Sequence, residues 1–353
     1  MRPRAISSIF ELHYHRGGVF LPQLGLWLDP HHRVNGPELA FVSHAHSDHT
    51  GRHREVVLTA ATARLMHARG VKAGTEHLLP FDEPRGFESG GLKYTITLLP
   101  AGHILGSAMA FIEAGGESLL YTGDFKLRAG LAAEQCVPRR ANLLVMESTF
   151  GRPHYRMPPV EDVRRELIEF CRKSLRNGAT PVLLAYSLGK TQEVLRLLDG
   201  AGLPVALHEA AWKMTRVYEE LGQRFGAYEL HSPDSPAKGV VICPAMSGRS
   251  PVTSPAGTRR TAVVTGWAID ASSRFRHGTD AAFPLSDHAD YPELLEMARR
   301  VAPGRIYTLH GFAADLAQSL REAGFDARAL SQVEQLQFSL FHRNPERVSR
   351  GVR

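Results

Sequence analysis

The chain has 353 residues, 43% hydrophobic and 22% charged, with a formal net charge of +6. Those values are the ones of an ordinary soluble globular protein, and the length is enough for two domains or one large one. No apolar run reaches the length of a membrane span, and the start Met1-Arg2-Pro3-Arg4 is followed by no apolar core with a cleavage site, so no signal peptide and a cytoplasmic location are expected.

Cys136, Cys171 and Cys243 are scattered, odd in number and form no Cys-x-x-Cys pair, which argues against a disulfide framework or a thiolate zinc site. Most of the 42 basic residues are Arg, a side chain suited to bidentate phosphate contacts. A bias toward Arg, Ala and Gly runs through the whole chain, so the charge permits a polyanionic partner without requiring one.

In chain order, Val19–Pro22 and Leu24–Asp29 read as a strand hairpin. The apolar run Leu39–Val42 reads as a buried strand ending in a loop, Ser43-His44-Ala45-His46-Ser47-Asp48-His49. Val56–Thr59 reads as a strand, Ala60–Ala68 as a helix closed by Gly70, and Lys93–Leu99 as a strand leading to Gly102-His103. Ala108–Glu113 and Ser118–Thr122 form two strands about the turn Gly115-Gly116, with Asp124 beyond the second. Leu143–Met146 is a further apolar run ending in Glu147.

Prolines near residue 153 mark a change. Val160–Arg176 is an amphipathic helix, and strands at Thr180–Tyr186, Pro204–Leu207 and Gly239–Cys243 alternate with helices at Thr191–Leu198 and Ala210–Leu221. The ligand-type pattern resumes at Pro284–Tyr291, ahead of a helix to Val301. A strand Arg305–Leu309 then ends in His310-Gly311, and a helix Ala313–Ala323 and a strand near Leu336–Phe341 follow.

Imidazole nitrogen and carboxylate oxygen suit borderline divalent metals such as zinc. His44, His46, Asp48 and His49 fall within six residues, too closely for one tetrahedral ion to use all four. From an extended segment His44 and His46 point one way while Asp48 and His49 turn toward a second point, so the spacing suggests two metals side by side. Asp29 either orients a ligand His or closes a turn before Pro30. His288 either caps the following helix or acts chemically. Tyr186–Thr191, with Ser187 and Lys190, and Met246–Ser250, with Arg249, are small loops that read either as ordinary loop and helix-start segments or as phosphate grips.

These residues resemble a known family. His44-Ala45-His46-Ser47-Asp48-His49, Gly102-His103 and Gly123-Asp124 look like the successive motifs of the metallo-β-lactamase fold. Glu147-Ser148-Thr149-Phe150-Gly151, His288 in Ser286–Tyr291 and His310 in Leu309-His310-Gly311 look like the three motifs of the β-CASP nucleases. The run Glu147–Arg156 and the compact length look most like bacterial ligase-associated DNA exonucleases.

The resemblance implies an α/β protein: a four-layer αββα metallo-β-lactamase fold in two segments, 1–155 and 268–353, around an inserted α/β β-CASP domain, 156–267. It assigns His44, His46 and His103 to one zinc, Asp48, His49 and His310 to the other, and Asp124 as the bridge, with manganese as a substitute that supports activity in vitro. It implies His288 as general acid held by Glu147, with Ser187, Lys190 and Arg249 as candidates for gripping substrate. The implied activity is 5′-to-3′ exonuclease action on single-stranded DNA in repair, in functional association with a DNA ligase and a helicase and with no membrane role. The alternative is a β-CASP ribonuclease or RNA 3′-end processing enzyme, since His310 also occurs in RNA-acting members. A small-ester hydrolase is disfavoured by the insertion with Glu147, His288 and His310, and a non-catalytic scaffold by the complete ligand set.

Overall fold

Side chains alternate between the two faces of a strand, and the central strands before the prolines near residue 153 are apolar on both. Strand Ala108–Ala114 sends Ala108, Ala110 and Ile112 to one core and Met109 and Phe111 to another. Strand Leu143–Glu147 splits Leu143 and Val145 from Leu144 and Met146 in the same way. Such strands are stable only when covered on both sides, which dictates layers.

The computed structural model describes residues 9–15, 17–232, 238–244 and 258–330 and contains those layers. One six-stranded sheet runs in the order His13–His15, Gly18–Leu21, Leu26–Leu28, Leu39–Phe41, Glu55–Leu58, Thr75–Leu78. A seven-stranded sheet runs Ala327–Ala329, Arg305–Leu309, Leu143–Glu147, Glu117–Tyr121, Ala108–Ala114, Leu92–Pro100, Pro84–Ser89. Leu21, Leu28, Phe41 and Val57 of the first interlock with Ile96, Leu98, Ile112 and Tyr121 of the second.

The second sheet's outer face is covered by helices Tyr291–Val301 and Ala313–Glu322, through Leu294, Met297, Leu316 and Leu320. The first sheet's outer face is covered by helix Ala60–Ala68, through Leu65 and Met66. Helix Glu209–Glu220 joins that cover with Met214, Val217 and Tyr218. This is the four-layer αββα fold.

The third sheet is parallel throughout and carries its own core. Its order is Glu229–Leu230, Val205–Leu207, Val240–Cys243, Thr180–Leu184, Arg259–Val264, Ala281–Phe283. Helices Val160–Arg176 and Lys190–Leu198 pack on it with Leu167, Cys171, Val194 and Leu198. The boundary expected at residue 267 falls inside this layer, because Ala281–Phe283 pairs with Arg259–Val264. Those two strands escape the sequence reading because one begins Arg259-Arg260-Thr261 and the other is three residues long. The expected strand at Leu336–Phe341 lies outside the described residues.

Strand Arg305–Leu309 pairs in parallel with Leu143–Glu147, placing Glu147 opposite Leu309, and the helices covering that sheet also come from the last segment. A fragment ending at residue 155 would leave both an unpaired strand edge and an uncovered apolar face. We expect such a fragment to show no cooperative thermal transition by circular dichroism, whereas the full chain melts cooperatively. A fragment that melts cooperatively would mean that the first segment folds without the last.

Candidate metal centre

Every residue of the candidate site lies at or just beyond the C-terminal end of a strand, except His288, which precedes a helix. Asp29 follows Leu26–Leu28, His44 to His49 follow Leu39–Phe41, and His103 follows Leu92–Pro100. Asp124 follows Glu117–Tyr121, Glu147 closes its own strand, and His310 follows Arg305–Leu309. The turns that deliver them demand small residues. Gly123 has a φ of 52°, and a Cβ there would stand 2.6 Å from that of Ser43. Gly102, beside His103, has a φ of 77°, and a Cβ would stand 2.4 Å from the carbonyl oxygen of Lys126. Asp29 and His310 take φ of 45° and 61°, a left-handed conformation costly for residues other than glycine that is often held at functional positions.

The hydrogen bonds around the imidazoles fix which nitrogen faces inward. Asp29 is fully buried and accepts from the Ser43 amide (2.7 Å), the Ser43 hydroxyl (2.6 Å), the Tyr121 hydroxyl (3.0 Å) and His49 Nδ1 (3.0 Å). Because Ser43 Oγ gives its proton to Asp29, it must accept from His44 Nδ1, 2.9 Å away. His103 Nδ1 donates to the carbonyl of Asp287 at 2.9 Å, and His46 Nε2 to the carbonyl of Leu188 at 3.2 Å. His44, His46 and His103 are each thereby held in one tautomer with the other nitrogen bare, and the Asp29 carboxylate behind His49 aims its Nε2 inward.

Those bare nitrogens converge. His46 Nδ1 stands 3.1 Å from both His44 Nε2 and His103 Nε2. Asp124 Oδ2 lies 3.5 Å from His44 Nε2, 3.4 Å from His49 Nε2 and 3.8 Å from His103 Nε2. Lone pairs facing one another in a buried cluster have no donor to share, and a cation satisfies them all at once. His44, His46, His103 and Asp124 form one group able to hold a metal ion. Asp48 Oδ2 stands 3.9 Å from His49 Nε2. The His310 ring centroid lies 6.1 Å from that of His49, and its buried Nε2 has no hydrogen-bond partner among the described residues.

Charge follows the same geometry. Burial lowers His44 and His103 well below the ordinary histidine range, reinforced by neighbouring imidazoles. Burial and the charges of His49 and His31 push His310 down to about 3. Burial also opposes a charge on His49, but the Asp124 and Asp29 carboxylates outweigh it and raise that ring to about 10. Burial raises Asp124 itself to about 7.

His288 Nδ1 donates to Glu147, 3.0 Å from Oε2, and its Nε2 faces Asp124 Oδ2 at 4.0 Å. Against the penalty of burial, the charges of Glu147 and Asp124 raise His288 to about 10. Glu147 is 1% exposed and also accepts from the Phe125 amide at 2.8 Å.

The structure thus brings together His44, His46, Asp48, His49, His103, Asp124, Glu147 and His288, with His310 beside His49. Lys190 departs from its expected role: it is 2% exposed, and its ammonium group bonds the Leu285 carbonyl (2.7 Å) and Asp287 (3.0 Å), so no surface cation is offered there. Ser187 sits one residue before Leu188, whose carbonyl meets His46, and Arg249 lies outside the described residues. Sequence reasoning missed Ser43, Tyr121 and Asp287 as orienting groups and His31, whose exposed ring stacks on His310 with centroids 5.7 Å apart. Tyr121 carried a usable signal: strand alternation turns it inward, and a buried phenol needs a partner.

Comparison with known proteins agrees with this layout. Residues 33–160 match the metallo-beta-lactamase superfamily, and residues 281–330 match the Zn-dependent metallo-hydrolase RNA specificity domain. The chain is 46% identical to a probable DNA ligase of Opitutus terrae, over 95% of this chain and 32% of that protein. It is 28% identical to the 5′ exonuclease Apollo of Gallus gallus, over 77% of this chain and 58% of that one. The chain therefore spans less than two thirds of either relative. A crystal structure of a protein of unknown function from Enterococcus faecalis V583 shares the fold at 12% identity with a TM-score of 0.53, covering 84% of this chain and 79% of that one.

Asp29 holds two of the inward-facing rings, His49 directly and His44 through Ser43. Asp29→Asn keeps the volume but turns one acceptor into a donor. We expect metal affinity, measured by competition with a chromophoric chelator, to fall about 10–100-fold while far-ultraviolet circular dichroism is unchanged. Parental affinity in the variant would show that Asp29 has no part in orienting the rings.

Proposed function

Because the chain belongs to the β-CASP family of the metallo-β-lactamase superfamily, we propose that it is a metal-dependent nuclease that removes nucleotides from the 5′ end of single-stranded DNA in repair. The observation that carries the reading is the pairing of His288 with Glu147 beside Asp124. A cluster built only to bind metal has no use for a charged imidazole at its rim, whereas expulsion of an alkoxide near neutral pH needs a proton donor there. The 5′ direction and the link to repair rest on the likeness to Apollo, named a 5′ exonuclease, and to the Opitutus protein, named a probable DNA ligase. Those likenesses also motivate functional association with a DNA ligase.

His44, His46 and His103 would hold one zinc ion and Asp48, His49 and His310 another, with Asp124 between them; manganese is the expected substitute in vitro. Bound there, such ions supply Lewis acidity toward a phosphate oxygen and a water of lowered pKa. The protein's own part is positional and protonic. Asp29, Ser43, Leu188 and Asp287 keep the imidazole lone pairs aimed inward. Glu147 keeps His288 protonated, and Nε2 of His288 gives its proton to the departing oxygen.

The match of residues 281–330 to an RNA specificity domain supports a second reading, a β-CASP ribonuclease. Matched single strands of DNA and RNA, each carrying a 5′-hydroxyl or a 5′-phosphate and blocked at one end, separate the two. We expect DNA to be cut and a 5′ block to protect it. Cleavage of RNA alone, or protection by a 3′ block, overturns the substrate or the polarity.

For either substrate, His288→Ala should lower turnover about 10²–10⁴-fold with both metals retained. Loss of metal instead would make His288 a ligand. In Glu147→Gln the charge that raises the His288 pKa is gone, so the proton leaves at lower pH. The alkaline limb of the pH–rate profile should therefore move toward acid, and an unmoved limb would mean that His288 is not the proton donor.

A further inference from the structure

The first turn of helix Lys190–Leu198 and the residue pair before it belong to the third sheet's layer, yet they touch four loops around the metal centre. The Leu188 carbonyl accepts from His46 at 3.2 Å. Gly189 has a φ of 88°, and a Cβ there would stand 2.4 Å from Cγ2 of Ile104, so this backbone presses on the loop that carries His103. Lys190 Nζ bonds the Leu285 carbonyl at 2.7 Å and Asp287 Oδ1 at 3.0 Å. Glu193 Oε1 meets Lys126 Nζ at 3.3 Å, two residues beyond Asp124, and its Oε2 accepts from the Leu131 amide at 2.8 Å.

The two ion pairs cross the same junction in opposite senses. The helix supplies the cation Lys190 and the anion Glu193; the loops supply the anion Asp287 and the cation Lys126. All four side chains are mostly shielded from solvent, with 2% and 13% exposure for the first pair and 9% for each member of the second. Burying an ion pair costs about several kcal/mol per ion in desolvation, so such pairs are weak contributors to stability and fix geometry better than they add strength.

Asp287 is the residue through which this geometry reaches the chemistry. Its side chain is held by Lys190, its carbonyl orients His103 at 2.9 Å, and His288 is its neighbour in sequence. We infer that Lys190 is a positioning residue: its buried ammonium locks the Leu285–Asp287 segment and thereby sets the tautomer of His103 and the aim of His288. The inserted layer then contributes to the reaction by bracing the metal centre from above, as well as by covering it. Lys190 does not bind substrate phosphate.

The inference rests on the nuclease reading for its turnover and oligonucleotide-binding measurements, and its metal-affinity measurement stands without that reading. Three quantities separate the roles: metal affinity, turnover at saturating metal, and the salt dependence of oligonucleotide binding measured in a His288→Ala background. For Lys190→Met we expect metal affinity weaker by about 10–100-fold, since the carbonyl orienting His103 is released. Turnover should fall by at least about tenfold, while oligonucleotide affinity and its slope against log salt stay at the parental values. Lys190→Arg, which keeps the charge and can reach the same two oxygens, should recover most of both losses.

A phosphate contact gives the opposite signature. Lys190→Met would then bind oligonucleotide more weakly, with a slope reduced by about one, and keep its metal. That result, or unchanged metal affinity and turnover, overturns the proposal. Should Lys190→Met fail to fold, Asp287→Asn removes the same pair at constant volume and carries the same expectations. If the parent cuts neither DNA nor RNA, the nuclease reading fails, and the metal titrations of the two variants still decide the role of Lys190.

Discussion

Everything near the site depends on keeping the bare imidazole nitrogens of His44, His46 and His103 and a carboxylate oxygen of Asp124 within 4.8 Å of one another in a buried place. Without a cation such an arrangement repels itself, so the protein must hold each ring from behind. It does so with oxygens of different origin: Ser43 Oγ for His44, the Leu188 carbonyl for His46, the Asp29 carboxylate for His49 and the Asp287 carbonyl for His103. A carboxylate behind a ring raises its basicity and a carbonyl does so less, so these partners tune each ring as well as aim it. Asp29 is the most heavily used, with four donors on its two oxygens. Burial opposes its charge, and His49 with the Ser43 donors overcomes that penalty and keeps its pKa below the ordinary carboxylate range.

The sandwich exists in a form that makes this possible. Parallel pairing of Leu26–Leu28, Leu39–Phe41 and Glu55–Leu58 in one sheet, and of Glu117–Tyr121, Leu143–Glu147 and Arg305–Leu309 in the other, brings chain ends of like direction together. Ligands can then be carried on short loops beyond two rigid edges, the placement that holds a site most accurately. The φ values of Asp29 and His310 are the local strain accepted for it, and the packed sheets on either side keep those conformations from relaxing.

How far this was legible in the sequence differs by residue. His44, His46, His49, His103, Asp124, Glu147 and His288 could be located because each stands next to a recognisable strand or helix start, while the part expected of each came from the resemblance to the β-CASP motifs. Most inner strands and the main helices followed from periodicity in the same way, whereas edge strands such as Thr75–Leu78, Pro84–Ser89 and Ala327–Ala329 did not. A Lys at a helix start looks like a phosphate grip, and nothing near Lys190 in the sequence announces the burial of its ammonium group against Asp287. Asp287 was invisible as an orienting group for a similar reason, since its carbonyl reaches His103 from 184 residues away, and Ser43, though it adjoins His44, acts as an acceptor only because Asp29 takes its proton. The edge of the inserted layer was misjudged because Ala281–Phe283 is a strand by virtue of its neighbour, with no alternation of its own to announce it.

That dependence on distant partners has a consequence for assembly. The bonds that fix the site join residues 142 apart for His46 and Leu188, 184 apart for His103 and Asp287, and 141 apart for Glu147 and His288. Loop closure over such separations must be met before any of these contacts rewards it, so local hairpins and helices have no means of pre-forming the cluster. The His44–His49 loop by itself presents ligands in no fixed tautomer. Only after the last segment has supplied its strand beside Glu147, and the inserted layer has set Leu188 and Lys190 against the loops, do the inward lone pairs meet. A metal ion bound at that stage would stabilise the completed junction: His44, His46, His103 and Asp124 all come from the first segment, but the carbonyls that aim His46 and His103 come from Leu188 in the inserted layer and from Asp287 beyond it.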